Sequence, residues 1–118
     1  MKICTMQELL DAKVLCCEEN LDKHVYSACG SDLMSDVLAY VKDQAVLLTG
    51  LINSQVIRTA MMMDMVCIVF TRSKQPTQEM LDLAEENGII VLSTYKTMYN
   101  ACGILYSNGL IGTAGVAK

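Results

Sequence analysis

Three apolar runs in this chain each end on a hydroxyl residue, and the spacing of these residues is regular. Thr49, Thr71 and Ser93 close the runs and stand 22 residues apart, and each is followed by a stretch with helical patterning. Neighbouring parallel strands need a helix-length connection, so a strand, a turn and a helix repeated at this period predict a parallel sheet. Ligands usually bind beyond the carboxyl ends of such strands, which is where these hydroxyls are expected to lie.

The apolar runs predict five strands in all. They cover residues 14–17, 25–28, 45–48, 65–70 and 89–92. The last three are apolar throughout rather than alternating, as expected when helices cover both faces of a sheet. We therefore expect a single α/β domain with three α/β/α layers and a mainly parallel sheet, in which the three later strands run parallel with right-handed crossovers. The order and direction of the first two strands stay open.

Helices are expected between these strands. After a short opening helix they cover about 32–42, 53–63 and 77–87, and a last helix follows the final strand. The opening helix carries the capping-box pattern of Thr5 and Glu8, and Ser31 is the expected N-cap of the second helix. The small, glycine-rich residues 109–118 predict a flexible tail to the single domain 1–118.

Composition narrows the classes of function. The 118 residues suffice for one domain, and the apolar runs fall far short of the ~20 residues that a membrane span needs. The start of the chain lacks the long apolar stretch of a signal peptide, so a cytoplasmic protein is expected. The net charge of −4 and the scattered basic residues disfavour nucleic acid as a partner.

The cysteines do not predict a metal or cofactor site. There are six, with no C-x-x-C pair and a single histidine in the chain, whereas zinc and iron–sulfur sites usually take ligands paired at short spacings. Six thiols suit a reducing cytosol. The adjacent pair Cys16-Cys17 leaves a redox role open, although buried structural thiols are more common.

Polar side chains at the predicted carboxyl ends are candidates to bind a ligand. The candidates are Thr49, Asn53, Thr71, Arg72, Ser93 and Thr94. The hydroxyls, the helix N-termini and Arg72 together favour a polar or anionic small molecule. The alternative is that the hydroxyl side chains cap helices and satisfy turns, that Asn53 is an N-cap, and that Arg72 is a solvated loop charge.

The sequence shows no catalytic set at this edge. No carboxylate, histidine or thiolate is predicted there as an acid, base or nucleophile. His24 has no serine or cysteine at a spacing that suggests a triad. Neither a dinucleotide-binding nor a P-loop fingerprint is present, so no catalytic residue is assigned.

The methionines predict an interface. Met61, Met62, Met63 and Met65 cluster at a helix end, and not all of them can point inward. An exposed methionine-rich patch is an adaptable contact surface, and Tyr99 of the last helix can join it. With 53% hydrophobic residues, the chain is expected to form a twofold homodimer, with Met61, Met62, Met65 and Tyr99 as interface candidates.

A family resemblance appears at residues 81–94, LDLAEENGIIVLST. Together with Asp22-Lys23-His24-Val25, the helix start at 30–35 and the strand ending in Thr71, this stretch resembles the DRTGG domain. The resemblance covers about 21–110. DRTGG domains are small α/β modules that occur beside other domains in clostridial-type pyrophosphatases and phosphotransacetylases, and also alone. The nearest form is the stand-alone one found near hydrogenase and HPr-kinase-like proteins.

Two positions depart from the family pattern. The family carries an Asp-Arg pair after the third strand, where this chain has Leu51 and Ile52. It carries Thr-Gly-Gly where this chain has Thr71-Arg72-Ser73. A glycine pair lets backbone amides close on a phosphate, so the departures bear on any anion site.

The resemblance implies a regulatory or interaction module, often dimeric, with no activity of its own. We therefore expect a non-catalytic regulatory or ligand-binding module that acts as a homodimer. The alternative is a small enzyme that acts on a phosphorylated or acyl substrate at the carboxyl edge of the sheet.

Overall fold

The computed structural model of the protein describes residues 1–40 and 44–112, and five strands in this part of the chain form one sheet. The strands are β1 (Lys13–Cys16), β2 (Ser27–Gly30), β3 (Ala45–Thr49), β4 (Cys67–Phe70) and β5 (Ile90–Ser93). Their order is β1-β5-β4-β3-β2, with β2 to β5 parallel and β1 antiparallel to β5. The predicted parallel arrangement of the three later strands is confirmed, and the structure supplies the places of the first two.

Helices cover both faces of this sheet. They are α1 (Ile3–Leu10), α2 (Met34–Tyr40), α3 (Ser54–Met62), α4 (Gln78–Glu86) and α5 (Met98–Ser107). Side chains of α2, α3 and α4 pack on one face with Leu47 and Ile68 of the central strands. Side chains of α1 and α5 pack on the other face with Val46 and Val69. These three layers confirm the predicted α/β/α architecture and explain why the central strands are apolar at every position.

The first helix begins earlier than its capping-box pattern predicts. α1 starts at Ile3 with Lys2 as its N-cap, so Thr5 lies inside the helix. The N–H of Ile3 donates to the carbonyl of Lys23 at 2.9 Å. The predicted capping box is therefore wrong, because a neighbouring backbone segment satisfies the first turn of the helix without a side-chain cap.

The third and fourth helices follow their predicted signals. The Asn53 side chain accepts a hydrogen bond from the N–H of Gln55 at 2.8 Å and caps α3, which is the N-cap role that the sequence allowed. Thr77 caps α4 by accepting from the N–H of Met80 at 3.2 Å, and the helix ends at Asn87. Local side-chain signals thus placed both helices to within about one residue.

The second strand lies further along the chain than predicted. β2 covers Ser27–Gly30 rather than 25–28, because its register with β3 begins at Ser27. The loop to α2 then starts at Ser31, whose Oγ accepts a hydrogen bond from the N–H of Leu33 at 3.0 Å. The predicted end of the second helix at 41–42 lies outside the described residues.

The first part of the expected tail packs on the sheet. Leu110 is buried, and the N–H of Ala28 donates to the carbonyl of Ile111 at 3.1 Å. An isolated parallel bridge joins Ala28 to Gly112. Residues 109–112 therefore differ from the flexible tail that their composition predicts, because they pair with the otherwise open edge of β2. Residues 113–118 lie outside the described part.

None of the helices among the described residues is long and apolar enough to cross a membrane.

Candidate functional site

The parallel strands bring their carboxyl ends, and the hydroxyls that follow them, to one edge of the sheet. Thr49 pairs in register with Phe70, and Phe70 pairs with Ser93. Thr71 and Thr94 each follow by one residue. All four hydroxyl side chains are at least 94% buried, since the largest exposed fraction among them is 6%. The structure therefore brings together the strand-end residues that the sequence singled out.

A carboxylate lies at the β2–β3 end of this edge. Asp32 Oδ1 accepts a hydrogen bond from Thr49 Oγ1 at 2.9 Å and another from the N–H of Gly50 at 2.8 Å. Thr49 Oγ1 in turn accepts from the N–H of Leu51 at 3.1 Å. The carboxylate thereby joins the loop after β2 to the end of β3. The sequence analysis did not place this carboxylate at the edge.

Gly50 lies between this carboxylate and the Thr71 hydroxyl. A Cβ atom at Gly50 would lie 3.5 Å from Thr71 Oγ1 and 3.8 Å from Asp32 Oδ1. Asp32, Thr49, Gly50 and Thr71 thus converge from the ends of three neighbouring strands, and we call them the acidic corner. Any side chain at position 50 would fill part of the space that these polar groups share.

Sequence reasoning missed Asp32 for a specific reason. With the second strand predicted to end at residue 28, Asp32 stood four positions beyond it, as a residue of the helix start. In the structure β2 ends at Gly30, so Asp32 is the second residue past a strand end. The same rule that selected the hydroxyls would have selected Asp32 if the strand boundary had been correct.

The loops that follow β4 and β5 are bonded to each other. The N–H of Arg72 donates to the carbonyl of Lys96, and the N–H of Ser73 donates to the carbonyl of Thr94, both at 2.8 Å. Ser93 Oγ donates to the carbonyl of Lys74 at 3.2 Å. We call the segments 72–76 and 94–97 the paired loops.

The paired loops lie where the helices that follow neighbouring strands change from one face of the sheet to the other. The loop after β4 leads to α4 on one face of the sheet, and the loop after β5 leads to α5 on the other face. Such a topological switch point commonly opens a crevice for a ligand. Here backbone hydrogen bonds bridge it instead, whereas Asp32 in the acidic corner is exposed.

Arg72 and Ser73 hold a left-handed backbone, with φ of 54° and 56°. Glycine adopts this conformation without steric cost, whereas other residues adopt it rarely. These are the two positions at which the DRTGG pattern has its glycines. Both positions therefore hold a conformation that glycine would adopt more easily.

Three further candidates are engaged within the protein. Thr94 Oγ1 donates to the carbonyl of Leu10 at 2.7 Å and accepts from the N–H of Lys96 at 3.3 Å. Ser93 Oγ is used in the paired loops, and Asn53 caps α3. The paired loops also carry cationic side chains that reach solvent, since Arg72 is exposed and Lys74 and Lys96 are partly exposed.

The predicted interface residues separate into different parts of the fold. Met65 is 3% exposed and belongs to the core under α2, α3 and α4, so it does not present a surface. Met61 is partly buried in the same core. Met62 on α3 is 71% exposed and Tyr99 on α5 is 88% exposed. Because α3 and α5 lie on opposite faces of the sheet, Met62 and Tyr99 do not form one patch.

Five thiols have pKa values above the ordinary range, and burial is the main cause for each. Burial raises the pKa of the Cys17 thiol to about 12, and it raises the pKa of the fully buried Cys67 further. The pKa values of Cys16, Cys29 and Cys102 are raised in the same direction. A thiol with a raised pKa carries little thiolate at neutral pH, so these five are not activated nucleophiles.

The family model of the DRTGG domain matches residues 5–107, which is most of the chain. The protein therefore belongs to the DRTGG domain family, as the sequence resemblance implied. Among the curated proteins, none matches the chain.

A solved structure supports the same fold. The crystal structure of the CBS and DRTGG domains of the regulatory region of Clostridium perfringens pyrophosphatase, complexed with the activator diadenosine tetraphosphate, superposes with a TM-score of 0.71 and 15% sequence identity. The match covers 88% of this chain and 45% of that chain. At this identity the similarity shows the fold, and this chain spans less than half of the neighbour.

Proposed function

We propose that this protein is a non-catalytic regulatory module that binds a small polar or anionic ligand at the carboxyl edge of its sheet and acts as a homodimer. The observation that carries the proposal is the acidic corner, where the exposed Asp32 meets Thr49, Gly50 and Thr71 at the ends of three neighbouring strands, with Arg72 next in the chain. It lies where parallel sheets usually bind ligands.

The chemistry of the acidic corner favours a ligand with both hydroxyl and anionic groups. A carboxylate offers about four lone-pair sites, and Asp32 uses two of them for Thr49 and Gly50. The others can accept hydrogen bonds from ligand hydroxyls. The exposed guanidinium of Arg72 can bind an anionic group in a bidentate way. A sugar phosphate or a nucleotide carries both kinds of group, and the structural neighbour was solved with a dinucleoside polyphosphate.

The surroundings of Asp32 favour binding over catalysis. Its carboxylate oxygen already accepts two structural hydrogen bonds. His24 is the single histidine of the chain. Its backbone forms an isolated antiparallel β-bridge with Lys2, and its ring stacks on Tyr26 with ring centroids 6.1 Å apart. These residues lie before β2, toward the amino ends of the parallel strands. The described carboxyl edge therefore has no histidine to act with Asp32 as a second general acid or base.

Isothermal titration of a ligand panel tests this proposal. The panel contains nucleoside mono-, di- and triphosphates, dinucleoside polyphosphates and acyl phosphates, and each mixture is also assayed for product. We expect saturable binding of one class without turnover, and a loss of at least about tenfold in affinity for Asp32→Asn, since one bond to a charged group contributes about 1.5 kcal/mol or more.

A matched carboxylate provides the control. Glu79→Gln on the exposed first turn of α4 should leave affinity unchanged. Turnover that disappears in Thr71→Ala would instead support the alternative, a small enzyme acting on a phosphorylated or acyl substrate. Binding that is insensitive to both Asp32→Asn and Arg72→Gly would contradict the site.

The outer face of α5 is the surface that we propose for the homodimer. None of its ten residues is charged, and Tyr99, Gly103 and Tyr106 follow one another at helical spacing on one side. Tyr99 is 88% and Tyr106 is 66% exposed, while a Cβ at Gly103 would meet nothing within 4 Å. Uncharged, aromatic helix faces of this kind are typically covered by a partner.

The outer side of the opposite layer differs in character. The surface between α3 and α4 is lined by Arg58, Glu79 and Asp82 among other polar residues, so Met62 stands near charged neighbours. We therefore assign the interface to α5, with Tyr99 as its central residue, rather than to the methionine cluster.

Light scattering of matched variants tests the dimer. Tyr99→Glu should give a folded monomer, because a carboxylate buried without a partner is costly. Met62→Glu, with the same change on the opposite face, should stay dimeric. A wild-type protein that is monomeric at tens of micromolar would overturn the dimer, and dissociation by Met62→Glu alone would move the interface to α3.

A further inference from the structure

Two adjacent cysteines and a glutamate converge at the end of β1. The sulfur atoms of Cys16 and Cys17 and a carboxylate oxygen of Glu85 all lie within 4.8 Å of one another. This is the one such group of metal-ligating side chains among the described residues. It stands apart from the carboxyl edge, because β1 pairs antiparallel to β5 and its last residue, Cys16, lies opposite Val91.

The backbone has to leave regular strand geometry to bring the two thiols together. Successive side chains of a strand point to opposite faces, which would separate neighbouring cysteines. Here the register with β5 shifts between Val14 and Cys16, and Cys17 has a left-handed backbone with φ of 60°. The bulge and the left-handed residue together break the alternation, and both sulfurs come within reach of Glu85.

Three separate segments hold the group in place. The N–H of Cys17 donates to Glu85 Oε1 at 3.3 Å, which ties the end of β1 to α4. Cys16 Sγ donates to the carbonyl of Ile89 at 3.4 Å, next to the start of β5. Because α4, β1 and the segment before β5 are all part of the packed fold, the ligand atoms are positioned before any ion arrives.

We propose that Cys16, Cys17 and Glu85 bind a thiophilic divalent cation of the zinc or cadmium class. Two sulfur ligands and one carboxylate suit a tetrahedral, borderline-soft ion, with the fourth position open to water. Hard ions such as Mg²⁺ and Ca²⁺ prefer oxygen ligands. On binding, each thiol transfers its proton to solvent, so one cation replaces two protons. The exposed Glu18 and Glu19 follow directly in the chain and add favourable negative potential.

Spacing rules did not find this site, because its third ligand is distant in sequence. Glu85 lies 68 residues beyond Cys17, and the two thiols are adjacent rather than separated by two residues. Only the bulge in β1 and the packing of α4 on β1 join the three.

Titration of the fully reduced protein with Co²⁺ and Cd²⁺ tests the site. We expect one ion per chain and the absorption of thiolate-to-metal charge transfer. Cys16→Ser and Cys17→Ser should each reduce that absorption and weaken binding by more than about 100-fold, the upper cost of losing even an outer-shell partner. Glu85→Gln should weaken binding about tenfold while keeping the thiolate band.

The remaining thiols provide the controls. Cys4→Ser and Cys102→Ser, which alter free cysteines elsewhere in the fold, should leave stoichiometry and affinity unchanged. A band that survives in both Cys16→Ser and Cys17→Ser, or disappears in Cys102→Ser, would overturn the proposal. Absence of binding in the reduced wild-type protein would also overturn it. If Cys17→Ser fails to fold, Cys16→Ser and the exposed Glu85→Gln still decide the result.

Discussion

The two halves of the carboxyl edge use the same kind of residue in opposite ways. In the acidic corner, Thr49 presents its hydroxyl to an exposed carboxylate, and Gly50 leaves space in front of it. In the paired loops, Ser93 and Thr94 direct their hydroxyls to backbone carbonyls and hold the loops closed. A hydroxyl at the end of a strand thus marks a candidate position for a ligand. The groups that face this hydroxyl decide whether a ligand can reach that position.

Packing of the first helix explains the difference. Thr94 lies against the C-terminal end of α1, where Leu10 offers a carbonyl to its hydroxyl. Thr49 lies on the side of β2, whose following loop brings Asp32 to the same edge. We expect that substitutions of Ser93 and Thr94, whose hydroxyls bond to backbone carbonyls, change stability and leave binding intact, while substitutions in the acidic corner or at Arg72 change binding.

The largest effect on stability is expected for Thr94→Val. The substitution removes the hydroxyl that donates to the Leu10 carbonyl at 2.7 Å and leaves a buried acceptor without its partner. We expect the free energy of unfolding to fall by about 2 kcal/mol, measured by urea denaturation. Thr94→Ser keeps the hydroxyl and should lose less. Equal losses for both variants would show that the methyl group, rather than the hydrogen bond, stabilises this position.

Asp32→Ala should have the next largest effect and should act on both properties. It removes the acceptor of Thr49 Oγ1 and of the Gly50 N–H, which should lower the free energy of unfolding by about 1.5 kcal/mol and abolish ligand binding. Asp36→Ala, at an exposed carboxylate in the first turn of α2, should change stability by about 0.5 kcal/mol or less. Binding that persists in Asp32→Ala would show that the acidic corner, like the hydroxyls of the paired loops, contributes to stability and not to ligand binding.

Asn53→Ala should separate capping from ligand binding. The side chain accepts from the Gln55 N–H at 2.8 Å as the N-cap of α3, and loss of such a cap costs about 1 kcal/mol. Thermal unfolding should show this loss, whereas ligand affinity should stay unchanged. Asn53→Asp retains the acceptor and should restore stability. A loss of affinity in Asn53→Ala without loss of stability would add Asn53 to the acidic corner.

The smallest effect is expected for Ser73→Gly, and it should be stabilising. Ser73 has a φ of 56° in the paired loops, and glycine removes the steric cost of this conformation. Glycine also raises the conformational entropy of the unfolded chain, which offsets part of the gain. We expect the free energy of unfolding to rise by about 0.5 kcal/mol. Chemical denaturation measures the change, and Ser73→Ala should show no gain. Arg72→Gly should be stabilising for the same reason, but it should also weaken binding of an anionic ligand.

Much of the fold follows from local pattern. The three apolar runs before Thr49, Thr71 and Ser93, and the helix signals at Asn53 and Thr77, need only neighbours in sequence to act. Parallel strands, helices on both faces and the place of the hydroxyls were therefore predictable. The resemblance to the DRTGG domain was equally visible in residues 81–94, and the family match over 5–107 confirms it.

The errors share one physical cause. The capping box at Thr5, the boundary of β2 and the tail from Gly109 were all predicted from local pattern. In each case, backbone pairing with a segment distant in sequence sets the observed structure instead. Lys23 satisfies the start of α1, β3 sets the register of β2, and Ile111 pairs with Ala28. The expectation that Met65 belongs to an interface is wrong for a different reason, because the number of apolar methionines does not show which of them are buried in the core.

By itself, the sequence determined the fold class, the period of strand and helix, and the edge at which the hydroxyls meet, because these depend on hydrophobic periodicity and on local capping. Only the tertiary structure decided which strand-end groups remain open. The contacts of Asp32 with Thr49, of Thr94 with Leu10 and of Glu85 with Cys17 join residues 17, 84 and 68 positions apart. Such contacts exist only once the layers have packed, since no local pattern specifies which distant group will face a given side chain.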